Sequence, residues 1–236
     1  IACIATSRIP SDTANSIQVM KACNALAQLG HTVHLLVPEH ESVRQTSQAQ
    51  WQDLQNFYGL GKDAGGRPAF QVEWIKAESK LKRYDFSLRA VNRARSLQAD
   101  LVYVWPLQAA LFGLLRGLPV ILELHGEPEG KLGPTVFRIF LRLPGRKRLL
   151  PITKALADHL ERAYRWSFSA DQIVIAPNGV ELERYLDLPA PQEARRMLGL
   201  PEGISAGYSG HLYPGRGMGL LVELARRHTQ VQFLWV

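Results

Sequence analysis

The sequence holds few of the residues from which staples and metal cages are made: two cysteines, Cys3 and Cys23, in 236 residues. Cys3 lies in an apolar run and Cys23 on the apolar stripe that follows. Both read as small core hydrophobes rather than a disulfide or a metal pair. A reducing cytoplasmic setting fits, and no metal site is expected. Long apolar runs are missing too. The longest stretch without a charged residue or a histidine, residues 101–115, is interrupted by Pro106 and is too short to span a bilayer. The start shows no basic region leading into an apolar segment, so nothing reads as a secretory signal. Ile1 opens directly into an apolar run without an initiator Met, and a few preceding residues are expected to be missing.

A third absence bears on function. Residues 7–14 follow the first apolar run and contain no glycine. A dinucleotide-binding turn needs glycines there so that the backbone can approach a pyrophosphate. Their lack argues against a hydride-transfer enzyme.

What is present is a globular composition, 46% hydrophobic and 21% charged, arranged in a βα rhythm. Residues 1–6, 32–37, 70–75, 101–105, 120–124, 149–152 and 173–176 read as strands. Residues 16–29 read as a helix with Asn15 or Ser16 as N-cap and Gly30 as stop. Residues 84–97 and 154–164 are also helical. Pro177, Asn178 and Gly179 then mark a tight turn. Beyond it come a helix at 192–198, a strand at 204–209, a helix at 218–228 and a strand at 231–236. One βαβ unit cannot cover both faces of its sheet, so the end of the pattern reads as truncated.

Three places offer chemistry. Ser11, Asp12, Thr13, Asn15 and Ser16 lie beside a helix N-terminus and can hydrogen-bond a phosphorylated or polyhydroxylated ligand; capping is the alternative use of Asn15 and Ser16. Glu123, His125 and Glu127 lie at the carboxyl end of a strand, the edge where open α/β sheets bind ligands. Gly210, His211, Arg216 and Gly217 fall between a strand and a helix, where free N–H groups and a guanidinium suit a diphosphate. The net charge of +7 is uneven. Lys131, Arg138, Arg142, Arg146, Lys147 and Arg148 are uninterrupted by any carboxylate, which suits either an anionic partner or a solvated face. No aromatic–basic platform accompanies them, so nucleic acid is not the expected partner.

Taken in order, these segments resemble the retaining glycosyltransferases of group 1, with the GT-B fold. Residues 14–19 with 30–33 are similar to that family's first loop, first helix and second strand. Glu123-x-His125 resembles its acceptor-side histidine motif, and Ile152-Thr153-Lys154-Ala155-Leu156 its next strand–helix step. Residues 173–181 resemble the interdomain sequence, and Gly210-x-Leu212 with Arg216 and Gly217 the start of the donor domain. The resemblance implies an α/β protein with a Rossmann-like parallel-sheet domain, 1–177, on the acceptor side. Residues 178–236 would be the linker and the first βαβ of an incomplete nucleotide-sugar domain.

The implied activity is transfer of a sugar from a nucleotide-diphosphate donor, with retention and without metal or cofactor. The resemblance makes His125 and Arg216 catalytic: His125 contacts the sugar and Arg216 stabilises the leaving diphosphate. Asn15, Gly210, His211, Arg216 and Gly217 would bind the donor, and Ser11, Thr13 and Glu127 would face the acceptor. Two departures stand out. His211 and Arg216 replace the family's usual Arg and Lys, and the paired-glutamate motif has no counterpart, so the piece alone is expected to be inactive. A noncatalytic carbohydrate- or lipid-binding module and a sugar-nucleotide epimerase of the same fold are the alternative readings. Residues 135–148 read as a basic, partly amphipathic element suited to an anionic membrane surface, with its aromatics dipped below the headgroups. The expected location is the cytoplasm, peripherally on the inner membrane face.

Overall fold

In the computed structural model, which describes residues 1–40, 51–60, 69–78, 82–210, 212 and 215–236, the first apolar run forms strand β1 (Ala2–Ile4). All three of its residues are fully buried. Such burial is possible only for a strand flanked on both edges and covered on both faces. Helix α1 (Ala14–Gln28) follows, then β2 (His34–Pro38), α2 (Trp51–Tyr58), β3 (Gln71–Ile75) and α3 (Lys82–Ser96). Next come β4 (Val102–Val104), α4 (Leu107–Leu115), β5 (Val120–Leu124), α5 (Gly133–Arg142), β6 (Lys147–Pro151) and α6 (Lys154–Tyr164). The six strands form one sheet in the order β3-β2-β1-β4-β5-β6, and every pairing is parallel. This is the Rossmann-like α/β sheet expected from the rhythm of the sequence.

The alternation of side chains sorts the core into two clusters. Ala2, Ile4, Leu36, Val102, Val104 and Leu122 face one side, against Phe86 and Val91 of α3, Ala110 of α4 and Phe137 and Phe140 of α5. Cys3, Ala5, Leu35 and Val37 face the other, against Val19, Met20 and Cys23 of α1 and Leu54 and Tyr58 of α2. Both cysteines are buried and free. Burial raises the Cys23 thiol well above its ordinary value, and the neighbouring Cys3 and Glu123 add to the effect.

Several boundaries differ from the sequence expectation. The N-cap of α1 is Thr13, whose extended backbone and Oγ1, accepting from Ser16 N at 3.4 Å, take the place expected of Asn15 or Ser16. Residues 173–176 are not a strand of their own. They run beside β6 with one parallel bridge, Leu149 to Ile173, and Val174 N donates to Leu149 O at 2.9 Å. The sequence does not mark helix α4, because it lacks a charged face to give a helical period. Its Gly113 explains the close packing: a Cβ there would lie 2.9 Å from Val120 Cγ2 and 3.2 Å from Val102 Cγ2.

Helix α5 corrects the membrane geometry. Phe137 and Phe140, expected in a headgroup layer, are fully buried in the core, because burying two aromatics against a sheet removes more apolar surface than a shallow lipid contact. Leu132 and Ile139 are the large apolar residues exposed in this region. The basic block is partly engaged as well. The Arg138 guanidinium lies 5.3 Å from the Tyr164 ring centroid, the Lys147 ammonium lies over Phe140, and Arg148 Nε donates to Asp171 O. Among the described residues, no helix is long and apolar enough to cross a membrane.

The chain divides into two units, Ile1–Gly179 and Val180–Val236. The second holds a 3-10 turn (Leu182–Tyr185), α7 (Pro191–Met197), β7 (Ser205–Tyr208), α8 (Met218–Arg227) and β8 (Gln232–Trp235). Strands β7 and β8 are parallel, making one βαβ unit. None of its described residues is buried. Arg195 ties α7 to the approach to β7, its guanidinium donating to Pro201 O and Gly203 O, each at 2.6 Å.

One ion pair in the first unit sets a pH dependence. Glu73 on β3 accepts from Arg93 Nε at 2.6 Å and meets His34 Nδ1 at 3.3 Å. Burial pushes its carboxyl up, but the Arg93 hydrogen bond and charge, helped by His34, outweigh it and hold the carboxyl below its ordinary value. The resulting stability is present above the unfolded carboxylate range and is lost as pH falls through the folded value. Glu73→Gln is expected to lower the urea midpoint near neutrality, with the gap from wild type closing below roughly pH 4.

Candidate functional site

Parallel strands joined by right-handed crossovers bring their carboxyl ends, and the loops that follow, to one edge. Between β1 and β4 the strand order reverses, so the chain leaves these two strands in opposite directions and a crevice opens. A cleft of about 640 Å³ lies at this edge of the first unit. Its walls come from Thr6 after β1, Asn15 and Gln18 at the start of α1, Trp105 and Gln108 after β4, and residues 123–129 at the end of β5 and beyond it, with Arg83 and Asn178.

His125 is held in this cleft by a buried carboxylate. Its Nε2 lies 2.5 Å from Glu123 Oε1, and the Tyr103 hydroxyl donates to Glu123 Oε2. Glu123 itself is 5% exposed. Burial alone would raise its carboxyl; hydrogen bonding from His125 and Tyr103, with the Trp105 indole close by, reverses this and keeps it below the ordinary value. The Tyr103 phenol is driven the other way, by burial first and then by the Glu123 carboxylate. Trp105 packs against Tyr103 with ring centroids 5.0 Å apart, and its buried Nε1 makes no hydrogen bond of ordinary geometry.

Glu127 lines the same cleft and is also a strut. Its Oε2 lies 2.7 Å from His159 Nε2, and Tyr164 donates to Oε1 at 3.3 Å. The His159 bond is the main cause holding the Glu127 carboxyl below its ordinary value. The loop after β5 is therefore fastened to α6.

The structure thus brings Asn15, His125 and Glu127 together, whereas Ser11 and Thr13 do not line the cleft. Ser11 exchanges bonds with Tyr58, whose hydroxyl accepts from Ser11 N at 2.7 Å and donates to Ser11 O at 3.0 Å. Thr13 caps α1, and Ser16 Oγ donates to Arg8 O at 2.9 Å. These hydroxyls hold the loop in shape. Gln18, Arg83, Trp105, Gln108 and Asn178 line the cleft as well, and the sequence does not mark them as site residues. Trp105 and Gln108 follow a strand, and the same carboxyl-edge rule that found His125 would have found them.

In the second unit, Gly210 (φ +137), Gly215 (φ +87) and Gly217 (φ +76) take conformations that disfavour any side chain. Gly217 is the N-cap of α8, and the exposed Arg216 sits immediately before it. His211 lies outside the described residues.

Residues 16–184 match the family described as Glycosyltransferase Family 4. No curated protein sequence matches the chain. Among solved structures, a glycosyltransferase from Rickettsia africae is 11% identical with a TM-score of 0.64, over 99% of this chain and 68% of that one. HepE from Anabaena in complex with UDP-glucose is 15% identical with a TM-score of 0.63, over 99% of this chain and 60% of its own. The UDP-GlcNAc 2-epimerase of Neisseria meningitidis bound to UDP-GlcNAc is 12% identical with a TM-score of 0.57, over 99% and 64%. At these identities the likeness shows a shared GT-B architecture.

The placement of Thr13 has a measurable outcome. Thr13→Ala should lower stability by about 1 kcal/mol in chemical denaturation, the usual cost of a lost N-cap.

Proposed function

Because the chain belongs to Glycosyltransferase Family 4, we propose that it acts in transfer of a sugar from a nucleotide-diphosphate donor to a hydroxylated acceptor, with retention of configuration. The observation that carries this reading is the cleft at the strand-order reversal, with His125 held in it by a buried carboxylate. His125 contacts the transferring sugar. Glu127 and the exposed amide of Asn15 supply further polar contacts at the cleft walls. In the second unit, Arg216 and the N–H groups at the start of α8 bear the diphosphate charge. No metal or cofactor is required, because a guanidinium and a helix end meet the charge that develops on the leaving group.

A second reading is a sugar-nucleotide epimerase, favoured by the Neisseria enzyme of the same architecture. Incubating the full-length protein with UDP-sugars and resolving the products separates the two. A glycosylated acceptor formed together with UDP supports transfer, and an epimerised sugar supports the alternative. Binding without turnover would leave a carbohydrate-binding module. For transfer, Arg216→Ala should reduce kcat on the order of 10²–10³-fold, and His125→Ala should reduce turnover with an unchanged circular dichroism spectrum. Wild-type turnover by the Arg216 variant would remove that residue from the mechanism.

We also propose peripheral attachment to an anionic cytoplasmic membrane face. Leu132 and Ile139 are exposed in the same segment as the exposed Lys131, Arg142 and Arg146, and each basic residue near such a surface contributes about 1 kcal/mol. Vesicle co-sedimentation should show binding to anionic and not to neutral vesicles, weakened by salt. Equal indifference to both would end the proposal.

A further inference from the structure

Glu123 is a buried acid that the proposed transfer does not itself use, and its surroundings determine what His125 can offer a ligand. Both carboxylate oxygens are occupied, Oε2 by the Tyr103 hydroxyl and Oε1 by His125 Nε2 at 2.5 Å. A carboxylate only accepts hydrogen bonds, so the imidazole atom facing it must be an N–H. A neutral imidazole carries one such hydrogen, which leaves Nδ1 with a lone pair. His125 Nδ1 has no hydrogen-bond partner among the described residues, and the side chain, 38% exposed, lines the cleft.

We infer that Glu123 is a positioning residue that fixes neutral His125 as the Nε2–H tautomer, so that Nδ1 presents an acceptor to the cleft. The complementary group is a hydroxyl that donates, as on a sugar, and not a phosphate oxygen, which has no hydrogen to give at neutral pH. Tyr103 acts one step further back. By donating to Oε2 it keeps the carboxylate turned so that Oε1 meets the ring. The net effect on Glu123, a carboxyl held below its ordinary value despite burial, agrees with an anion at this position. The choice of a sugar hydroxyl as ligand rests on the proposed function, whereas the tautomer does not.

The test is therefore made without substrate. The protein is labelled with ¹⁵N-histidine and its long-range ¹H–¹⁵N spectrum recorded in mildly alkaline buffer. Among the seven histidines, His125 is assigned by the signal lost in His125→Gln. The Nε2–H form should outnumber the Nδ1–H form by roughly tenfold or more, as a hydrogen bond to a charged group maintains. An exchange-averaged mixture, or a predominant Nδ1–H form, would overturn the inference. Glu123→Leu, similar in volume and without an acceptor, should lower the Nε2–H excess to the intrinsic ratio that a free neutral imidazole shows, while the other histidine signals stay in place. An excess retained at the wild-type level in that variant would overturn it equally. If the variant fails to fold, the wild-type spectrum decides alone. Absence of sugar transfer by a protein with the expected tautomer would count against the proposed function only.

Discussion

A parallel sheet cannot leave a face to water, because each strand is joined to the next by a crossover that has to pack somewhere, and the first unit follows from that constraint. β1 is buried on both faces and paired on both edges. It therefore needs α1 and α2 on one side and α3, α4 and α5 on the other. Once helices lie on both sides, the order of strands must reverse next to β1, and the reversal leaves a crevice that no crossover can fill. The site is what remains open when the hydrophobic requirement has been met.

That origin explains which parts were legible in the sequence. Strands β5 and β8 and helices α6 and α8 were read within a residue or two, because apolar runs and helical periods state burial directly. α6 was read to the residue, Thr153 capping it through Leu156 N at 3.1 Å. α4 was not read, since a helix packed nearly all round has no polar stripe. The run at 173–176 reads as a strand because it is as apolar as one, yet it meets β6 by a single bridge. Hydrogen bonding, not composition, makes that distinction.

The site was legible by edge and not by partner. His125 and Glu127 stood out as a histidine and a carboxylate after a strand. That Glu123 would be satisfied by Tyr103, from a different strand, depends on β4 and β5 being neighbours. Ser11 and Thr13 looked like ligand groups for the reason that makes them good loop residues: short hydroxyl side chains bond whatever N–H or oxygen is nearest. Tyr58, from a helix some forty-seven positions away in sequence, claims the Ser11 backbone first.

Gly113 has a consequence beyond packing. The absence of a side chain there sets how near α4 can lie to β4 and β5, and α4 begins at Leu107, beside the cleft residues Trp105 and Gln108. A bulkier residue at 113 would wedge the helix off the sheet, and the first turn would swing with it. The aperture of the cleft is in this sense gauged from inside the core, at a position that touches no ligand. Variation in substrate size within such a scaffold can therefore be reached by changing a spacer, with every polar group left in place.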